Sequence, residues 1–287
     1  MRKLALFGNC MLLSFFSFSQ NLHLGIFGGA SAYSGDLAEK LFPKKLTNGV
    51  IGITVNYELQ DQVFIRAGFN YSVVGGDDKY SKDTALQHRN LSFETSIAEF
   101  SLIGECYIFD LYDQKFSPYL FGGLALYHFN PYAYDKNGQL VYLKPLSTEG
   151  QGLSQYPDRK PYSLTQLAIP FGGGVKYAFS DNVRLGLELG LRKLFTDYLD
   201  DVSTLYADFN DLLAAKGQLA VDMAYRGNEV AGGNPNYPAK NITRGGEKFK
   251  DWYYFAGLHL TFRIGSGGGG LQFTGNKKKY GCPSVPQ

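Results

Sequence analysis

The segment NVRLGLELGLRKLF, residues 182–195, alternates apolar and polar side chains along most of its length. Leucine or valine occupies every second position from 183 to 191, and the charged residues of the opposite parity are Arg184, Glu188 and Arg192. A period of two places successive side chains on opposite faces of an extended chain. The segment therefore predicts a long β-strand with one apolar face and one charged face.

The same alternation recurs along the chain. VFIRAGFNYSV, residues 63–73, carries Arg66 on its polar face, and eight segments alternate in this way. Each has the roughly 9 to 11 residues that a tilted strand needs to cross a bilayer. In the fourth segment the apolar register shifts near Ile97 and Ala98, which predicts a β-bulge there. The segments are residues 21–34, 48–59, 63–74, 96–109, 117–131, 163–178, 182–196 and 251–264.

The connections alternate between short and long. Short joins lie at residues 60–62, 110–115 and 180–181, whereas the other connections are long, and the last runs from about 197 to 250. An even number of strands with short turns at one end is the pattern of an outer-membrane barrel, with the short turns periplasmic. We therefore predict an all-β fold, an eight-stranded antiparallel up-and-down transmembrane β-barrel. A soluble β-sandwich is the alternative.

The N-terminus, MRKLALFGNCMLLSFFSFSQ, begins with a basic pair and continues with an apolar run. The run is about 15 residues long, shorter than the roughly 20 that span a membrane as a helix. Small residues before Gln20 suit a signal-peptidase site. We predict a signal peptide at residues 1–19, a barrel at 20–264 and a flexible periplasmic tail at 265–287.

Composition narrows the class of protein. The formal net charge of +2 gives no case for nucleic-acid binding. Once the leader is removed, Cys106 and Cys282 remain, too few for a disulfide-stapled small domain. Aromatic residues make up 15% of the chain, enough for a membrane girdle. At the short-turn side we expect the girdle to contain Tyr57, Phe109, Tyr119, Tyr177 and Phe179.

Charged side chains on the polar strand faces are expected to point into the barrel. An eight-stranded barrel has an interior that side chains fill, so we expect no aqueous pore. Buried charges need partners, so we predict a structural role and expect Glu188 to pair with Arg184 or Arg192. A proton or ion path is the alternative. The expected interior charges are Arg66, Glu99, Glu105, Arg184, Glu188 and Arg192.

Metal and cofactor sites are not indicated. The histidines show no HExxH or paired spacing, so we expect no metal and no cofactor. Asp197, Asp200 and Asp201 cluster where the seventh strand ends. We expect them to accept hydrogen bonds from backbone N–H groups at the rim. A calcium site is the alternative, since carboxylate oxygens are its ligands.

Several segments together resemble a known family. FSPYLFGGLALYHFNP, QLAIPFGGGVKY, LGLELGLRKLFTDYLDDVSTLY and the closing YGCP are similar to PorG-like outer-membrane β-barrels of the type IX secretion system. The resemblance runs through the mature chain and is densest from Phe116 to Tyr206. It implies a non-enzymatic component of a protein-secretion machine that supports gliding motility in some cells. It also implies contact with a periplasmic ring lipoprotein and its partner subunit.

The tail would carry this contact. Residues 265–270 are mostly glycine, which gives reach to the residues beyond them. Lys277, Lys278 and Lys279 suit an acidic surface or lipid headgroups, and Tyr280 and Pro283 offer an apolar contact. Cys282 lies in an oxidising compartment. We expect it to form a disulfide with a component of the periplasmic ring, and an idle thiol in a disordered tail is the alternative.

Two other functions remain open from the sequence. The long loops suit a surface adhesin or another loop-mediated binding barrel. An outer-membrane enzyme acting on lipid would need a nucleophile with a base in reach. His88 and nearby serines are its only candidates, and their spacing matches no known motif. We therefore expect a non-enzymatic barrel.

Overall fold

The computed structural model describes residues 21–38, 46–246 and 250–264. The predicted signal peptide and the predicted tail lie outside the described residues. Within them, the sheet contains nine antiparallel strands. Their bounds are β1 Leu22–Ser34, β2 Asn48–Gln60, β3 Val63–Asp77, β4 Ser92–Tyr107, β5 Phe116–Tyr134, β6 Leu140–Tyr142, β7 Thr165–Ser180, β8 Val183–Leu194 and β9 Trp252–Ile264.

Eight of these strands close into a barrel, as predicted. Each strand pairs with the next, β9 returns to β1, and the order around the barrel is β4-β3-β2-β1-β9-β8-β7-β5, with β5 back on β4. The short strand β6 stands apart, because it pairs only with the end of β5 at Tyr132–Tyr134. Closure leaves the eight barrel strands without an unpaired edge.

The two faces of the barrel wall follow the sequence pattern. Along β3 and β8 the polar residues Arg66, Asn70, Arg184 and Glu188 are buried inside. Leucines, isoleucines and phenylalanines of the opposite parity are exposed on the outer wall, among them Leu187 at 58% exposure. An outward apolar band is the surface that a transmembrane barrel presents to lipid. The protein is therefore an outer-membrane-type β-barrel.

The short-turn aromatic girdle is only partly as predicted. Phe109, Tyr177 and Phe179 are exposed on the outer wall, and Tyr57 is half-buried there. Tyr119, by contrast, is buried, and its hydroxyl donates to Glu188 at 2.8 Å inside the barrel. The prediction for Tyr119 was wrong because nearness to a strand end does not fix the face on which a side chain lies.

The predicted bulge in β4 is absent. The pairings of β4 with β3 and with β5 run without a register shift from Glu94 to Cys106. Ile97 lies inside, where the long-loop half of the barrel has an apolar core with Phe93, Tyr127 and Phe129. The apparent shift in the sequence marks the place where the interior changes from charged to apolar.

Connections are short at one end of the barrel and long at the other. The short-turn end has turns at residues 61–62, 108–115 and 181–182, and Ile264 at the end of β9 pairs with Leu22 there. The long connections at the other end are residues 35–47, 78–91, 135–164 and 195–251. We call their described parts the cap.

The cap contains helices α1 Thr84–Arg89, α2 Phe209–Lys216 and α3 Gln218–Ala224. None of the helices in the described part of the chain is long and apolar enough to cross a membrane. Asp208 caps the N-terminus of helix α2, because its carboxylate accepts from the backbone N–H groups of Asn210 and Asp211. Both α2 and α3 bury apolar side chains in a small core of the cap that contains Tyr156, Ala207, Leu212, Ala220, Val221 and Ala224.

Candidate functional site: the charged interior and the cap

Arg66 of β3 is at the centre of the charged interior. Its guanidinium makes two hydrogen bonds to Glu188, at 2.7 and 3.1 Å, and its Nε lies 3.1 Å from Glu105. All three side chains are buried. The predicted pairing of Glu188 with Arg184 or Arg192 was therefore wrong. The sequence does not reveal the correct pair, because Arg66 and Glu188 lie 122 positions apart.

Lys176 and His259 complete this layer. The Lys176 ammonium lies 3.4 Å from Glu105, and Arg66 Nη1 lies 3.1 Å from His259 Nδ1. The other imidazole nitrogen, Nε2, lies 2.8 Å from the Thr54 hydroxyl. Two carboxylates thus face two basic side chains, so the layer balances its own formal charge.

One metal-like grouping occurs within the described residues. One ligand atom from each of Glu105, Glu188 and His259 lies within 4.8 Å of the others. The surroundings do not suit a cation. The Glu188 carboxylate already accepts from Arg66, and the same guanidinium lies beside His259. The Lys176 ammonium adds a second positive charge. An arginine and a lysine already supply the positive charge that a bound cation would provide.

Two further charged groups lie on either side of the central layer. Toward the cap, Arg192 Nε donates to Glu99 at 3.0 Å, and the same carboxylate accepts from Asn70 and Tyr253. Residues from four strands thus meet at this level. Glu99 and Arg192 are therefore a buried ion pair.

Toward the short turns, Glu58 accepts from Tyr112 at 2.6 Å and lies 3.1 Å from His23. Arg184 Nη2 is 4.0 Å from Glu58, and the guanidinium lies over the rings of Phe64 and Tyr112. Tyr112 belongs to the turn between β4 and β5, which folds back over the barrel mouth. Side chains therefore fill the interior down to this end.

The predicted aspartate cluster is buried in the cap. Asp200 Oδ1 accepts from the backbone N–H of Val202 at 2.9 Å, as expected for a rim carboxylate. Asp201 accepts from Tyr162 at 2.7 Å, and Asp197 accepts from Ser203 at 2.9 Å. Only Asp200 thus accepts from a backbone N–H group as predicted, whereas the donors to Asp197 and Asp201 are side-chain hydroxyl groups. Asp197 and Asp201 are joined indirectly through Glu149 and Arg244. Among the described residues the three aspartates do not form a metal-like grouping.

Burial changes the acidity of these groups. Desolvation raises the pKa of Asp197 to about 7 and that of Asp201 to about 6, the latter against the opposing effect of Arg244. Desolvation also raises the pKa of Asp200 and of Asp251. The Tyr33 hydroxyl lies 2.6 Å from Asp200 and 3.0 Å from Asp251. Because a hydroxyl has one proton, both contacts are hydrogen bonds only when one carboxyl is protonated.

Glu149 and Arg244 join the long connections. Arg244 donates to Glu149 at 3.0 Å, to the carbonyl of Asp201 at 2.6 Å and to the carbonyl of Ala224 at 3.2 Å. Glu149 also accepts from the backbone N–H groups of Ser203 and Thr204. Both side chains are buried. The connection 135–164 is thereby fixed to the connection 195–251.

Arg89 of α1 fixes the remaining two connections. Its guanidinium pairs with Asp78 through two hydrogen bonds of 2.7 Å and donates to the carbonyl of Asp36 at 3.1 Å and to that of Arg244. Asp36, Arg89 and Arg244 come from three different long connections. The cap is thus a single folded unit held together by the half-buried Arg89 and the buried Arg244.

Several of these residues were not predicted from the sequence. Lys176, Glu58 and His259 lie on inward strand faces, so their alternation was a usable signal. Glu149, Arg244 and Asp251 lie in connections without a periodic pattern, so the sequence offered none. The predicted tail contacts at Lys277, Lys278, Lys279, Tyr280, Cys282 and Pro283 lie outside the described residues.

Several solved structures are similar to this chain. Neisserial surface protein A is 10% identical, with a TM-score of 0.41, and the match covers 85% of this chain and 97% of that one. Ail of Yersinia pestis, solved with the heparin analogue sucrose octasulfate, is 11% identical, with a TM-score of 0.38 and coverage of 84% and 98%. OprG of Pseudomonas aeruginosa is 11% identical, with a TM-score of 0.36 and coverage of 85% and 98%.

No curated protein sequence matches the chain significantly. A family model described as a domain of unknown function matches residues 2–216, which is most of the chain. That match includes β1 to β8 and the aspartate cluster. The chain belongs to this family, DUF6089.

Proposed function

We propose that the protein is a non-enzymatic outer-membrane anchor of the type IX secretion system, which contacts the periplasmic ring through its C-terminal segment. The observation that carries the proposal is the position of Ile264. The last strand ends beside Leu22 at the short-turn end, which is the periplasmic end in outer-membrane barrels. The residues after 264 therefore leave the barrel on the side where a periplasmic ring assembles.

The filled interior supports an anchoring role over transport. Buried ion pairs such as Arg66–Glu188 and Arg192–Glu99 occupy the centre of the barrel, and Tyr112 closes the short-turn end. These charges are paired with one another, so they support structure and not catalysis. The surfaces and the C-terminal segment are then the parts available for partners.

A pull-down experiment tests the anchor. An epitope inserted after Lys136, in the exposed turn before β6, leaves the C-terminal segment free. Gentle detergent extraction of the full chain should recover a periplasmic lipoprotein and its partner subunit, and a chain ending at Ile264 should recover neither while still assembling as a barrel. Recovery of the barrel alone from the full chain, with normal secretion in a deletion strain, would contradict the proposal.

Cys282 would allow a covalent contact with the periplasmic ring. We expect a disulfide between Cys282 and a ring component, because an oxidising compartment favours pairing of a free thiol. Non-reducing electrophoresis should show a higher-mass band that disappears with reductant and in Cys282→Ser but persists in Cys106→Ser. A monomeric band whose Cys282 is freely alkylated in intact cells would exclude the disulfide while leaving the non-covalent anchor open to the pull-down.

The folded cap favours loop-mediated surface binding as a second candidate. Long connections held together by Arg89 and Arg244 present a fixed surface outside the barrel. Deletion of residues 209–224, which removes α2 and α3, should then abolish adhesion to a surface or a host matrix and leave secretion intact. Loss of secretion with unchanged adhesion would favour the anchor.

A further inference from the structure

A cleft opens on the outer side of the barrel, where the cap overhangs β1, β8 and β9. Its volume is about 1420 Å³. One wall is α1 with Arg89, and the floor contains Trp252 and Tyr254 of β9 and Lys193 of β8. These three floor residues lie on the outer face of the wall, since Arg192 and Tyr253 point inside. The cleft therefore faces the membrane surface and not the barrel interior.

The level of the cleft is that of the outer membrane boundary. Below Lys193 on the outer face of β8 are Leu191 and Leu189, which belong to the apolar band. Trp252 pairs with Lys193 and packs edge-on against Phe171, with ring centroids 6.1 Å apart. Tryptophan and other aromatic rings mark the boundary between hydrocarbon and headgroups in barrels. The cleft thus opens where lipid headgroups lie.

The basic side chains that line the cleft differ in whether they already have an acidic partner. Arg89 and Arg244 line it but are already bound to Asp78 and Glu149. Lys193 is exposed and has no hydrogen bond or ion pair to another described residue. An exposed lysine beside an aromatic floor, with backbone and hydroxyl groups around it, suits an anionic group attached to a sugar.

Directly beneath the cleft the outer wall is shallow. Ala30 of β1 pairs with Ala256 of β9, and Gly28 lies further down the same face, where the space around its Cα is open. All three are on the outer face and lie below Tyr254. Small side chains at this place leave room for an acyl chain that descends from the cleft into the hydrocarbon.

We propose that the cleft binds a phosphorylated glycolipid of the outer leaflet, with its phosphate on Lys193, its sugar over Trp252 and Tyr254, and an acyl chain along Gly28, Ala30 and Ala256. The bound lipid would fix the cap to the membrane surface. This site is independent of the C-terminal segment and of the secretion system.

Lipid A in nanodiscs of neutral phosphatidylcholine is the probe. The purified full chain should bind it, and Lys193→Glu should weaken binding by about tenfold or more, since one surface lysine contributes about 1 kcal/mol toward an anionic lipid and reversal adds repulsion. Lys193→Arg should retain binding. Lys136→Glu, an exposed lysine of the cap that does not line the cleft, is the matched control and should bind as the wild type does.

Three outcomes would overturn the proposal. Equal binding of dephosphorylated lipid A would remove the role of the phosphate, and equal loss in Lys136→Glu would reduce the effect to general surface charge. Competition by the soluble phosphorylated disaccharide at equal affinity would show that the acyl groove does not contribute. Heat-modifiable migration of every variant confirms that the barrel is folded, and Ala30→Leu tests the groove without changing charge.

Discussion

At the scale of single residues, Glu188 is the carboxylate on which the buried Arg66 depends. It accepts two hydrogen bonds from Arg66 and one from Tyr119, all inside the barrel. Glu188→Leu should lower the free energy of unfolding by about 3 to 5 kcal/mol, because it leaves the buried Arg66 guanidinium without one of its two acidic partners. Urea unfolding in lipid vesicles, followed by fluorescence of the single tryptophan, measures this change.

The double variant Arg66→Met, Glu188→Leu is the control for that experiment. Removing both charges should recover part of the lost stability, since neither partner is then left unpaired. If Glu188→Leu unfolds at the same urea concentration as the wild type, water and not the side chains of the interior must solvate the Arg66 charge.

Asp197 is expected to make the cap sensitive to pH. Its pKa is raised to about 7 by burial, whereas an unfolded aspartate titrates near 3.9. The folded cap therefore holds a proton that the unfolded chain releases. The resulting stability is fully present below about pH 4 and is lost as the pH rises through about 7. Hydrogen exchange of residues 195–204, corrected for the intrinsic rate, should be faster at about pH 8 than at about pH 5.

Asp197→Asn should flatten this dependence, because the amide cannot ionise. Asp200, Asp201 and Asp251 keep a residual slope, since burial raises their pKa values as well. Asp135→Asn changes a carboxylate of the cap whose pKa is lowered by backbone hydrogen bonds, and it should leave the slope as it is. An unchanged slope in Asp197→Asn would remove Asp197 as its source.

At the scale of elements, the strands were predictable and the cap was not. Alternation alone indicated all eight barrel strands, because a wall between lipid and a charged interior forces a period of two. It misled only in β4, where Ile97 faces an apolar part of the interior. The cap depends on contacts such as that between Tyr33 and Asp251, which are 218 positions apart. The sequence of the connections has no hydrophobic periodicity from which such contacts could be predicted.

Arg244 connects several elements of the cap through its guanidinium. Arg244→Met should open the connections 135–164 and 195–246, because Glu149 would lose its buried counter-charge and α3 its tie through the Ala224 carbonyl. Hydrogen exchange should speed up in both connections and stay slow in β1 to β5. Lys240→Met, a half-exposed lysine of the same connection, is the matched control. Protection equal to the wild type in Arg244→Met would show that the apolar core of the cap holds it alone.

At the scale of the whole molecule, the filled interior predicts a barrel that does not conduct. Ion pairs occupy its middle, aromatic and aliphatic side chains its long-loop half, and Tyr112 its other mouth. Purified protein in planar bilayers should show no steady unitary current, as expected for an eight-stranded barrel. A reproducible current that is altered by Arg66→Met would instead place an ion path along the charged layer.

Orientation in the membrane decides which surface meets which partner. Short turns are periplasmic in outer-membrane barrels, so Lys136 should lie outside the cell and Asp113 inside the periplasm. Both residues are exposed, in the turn before β6 and in the turn between β4 and β5. In a Cys106→Ser, Cys282→Ser background, Lys136→Cys should react with a membrane-impermeant maleimide in intact cells, and Asp113→Cys only after the outer membrane is permeabilised. The reverse result would place the residues after Ile264 outside the cell and exclude a tether to a periplasmic ring.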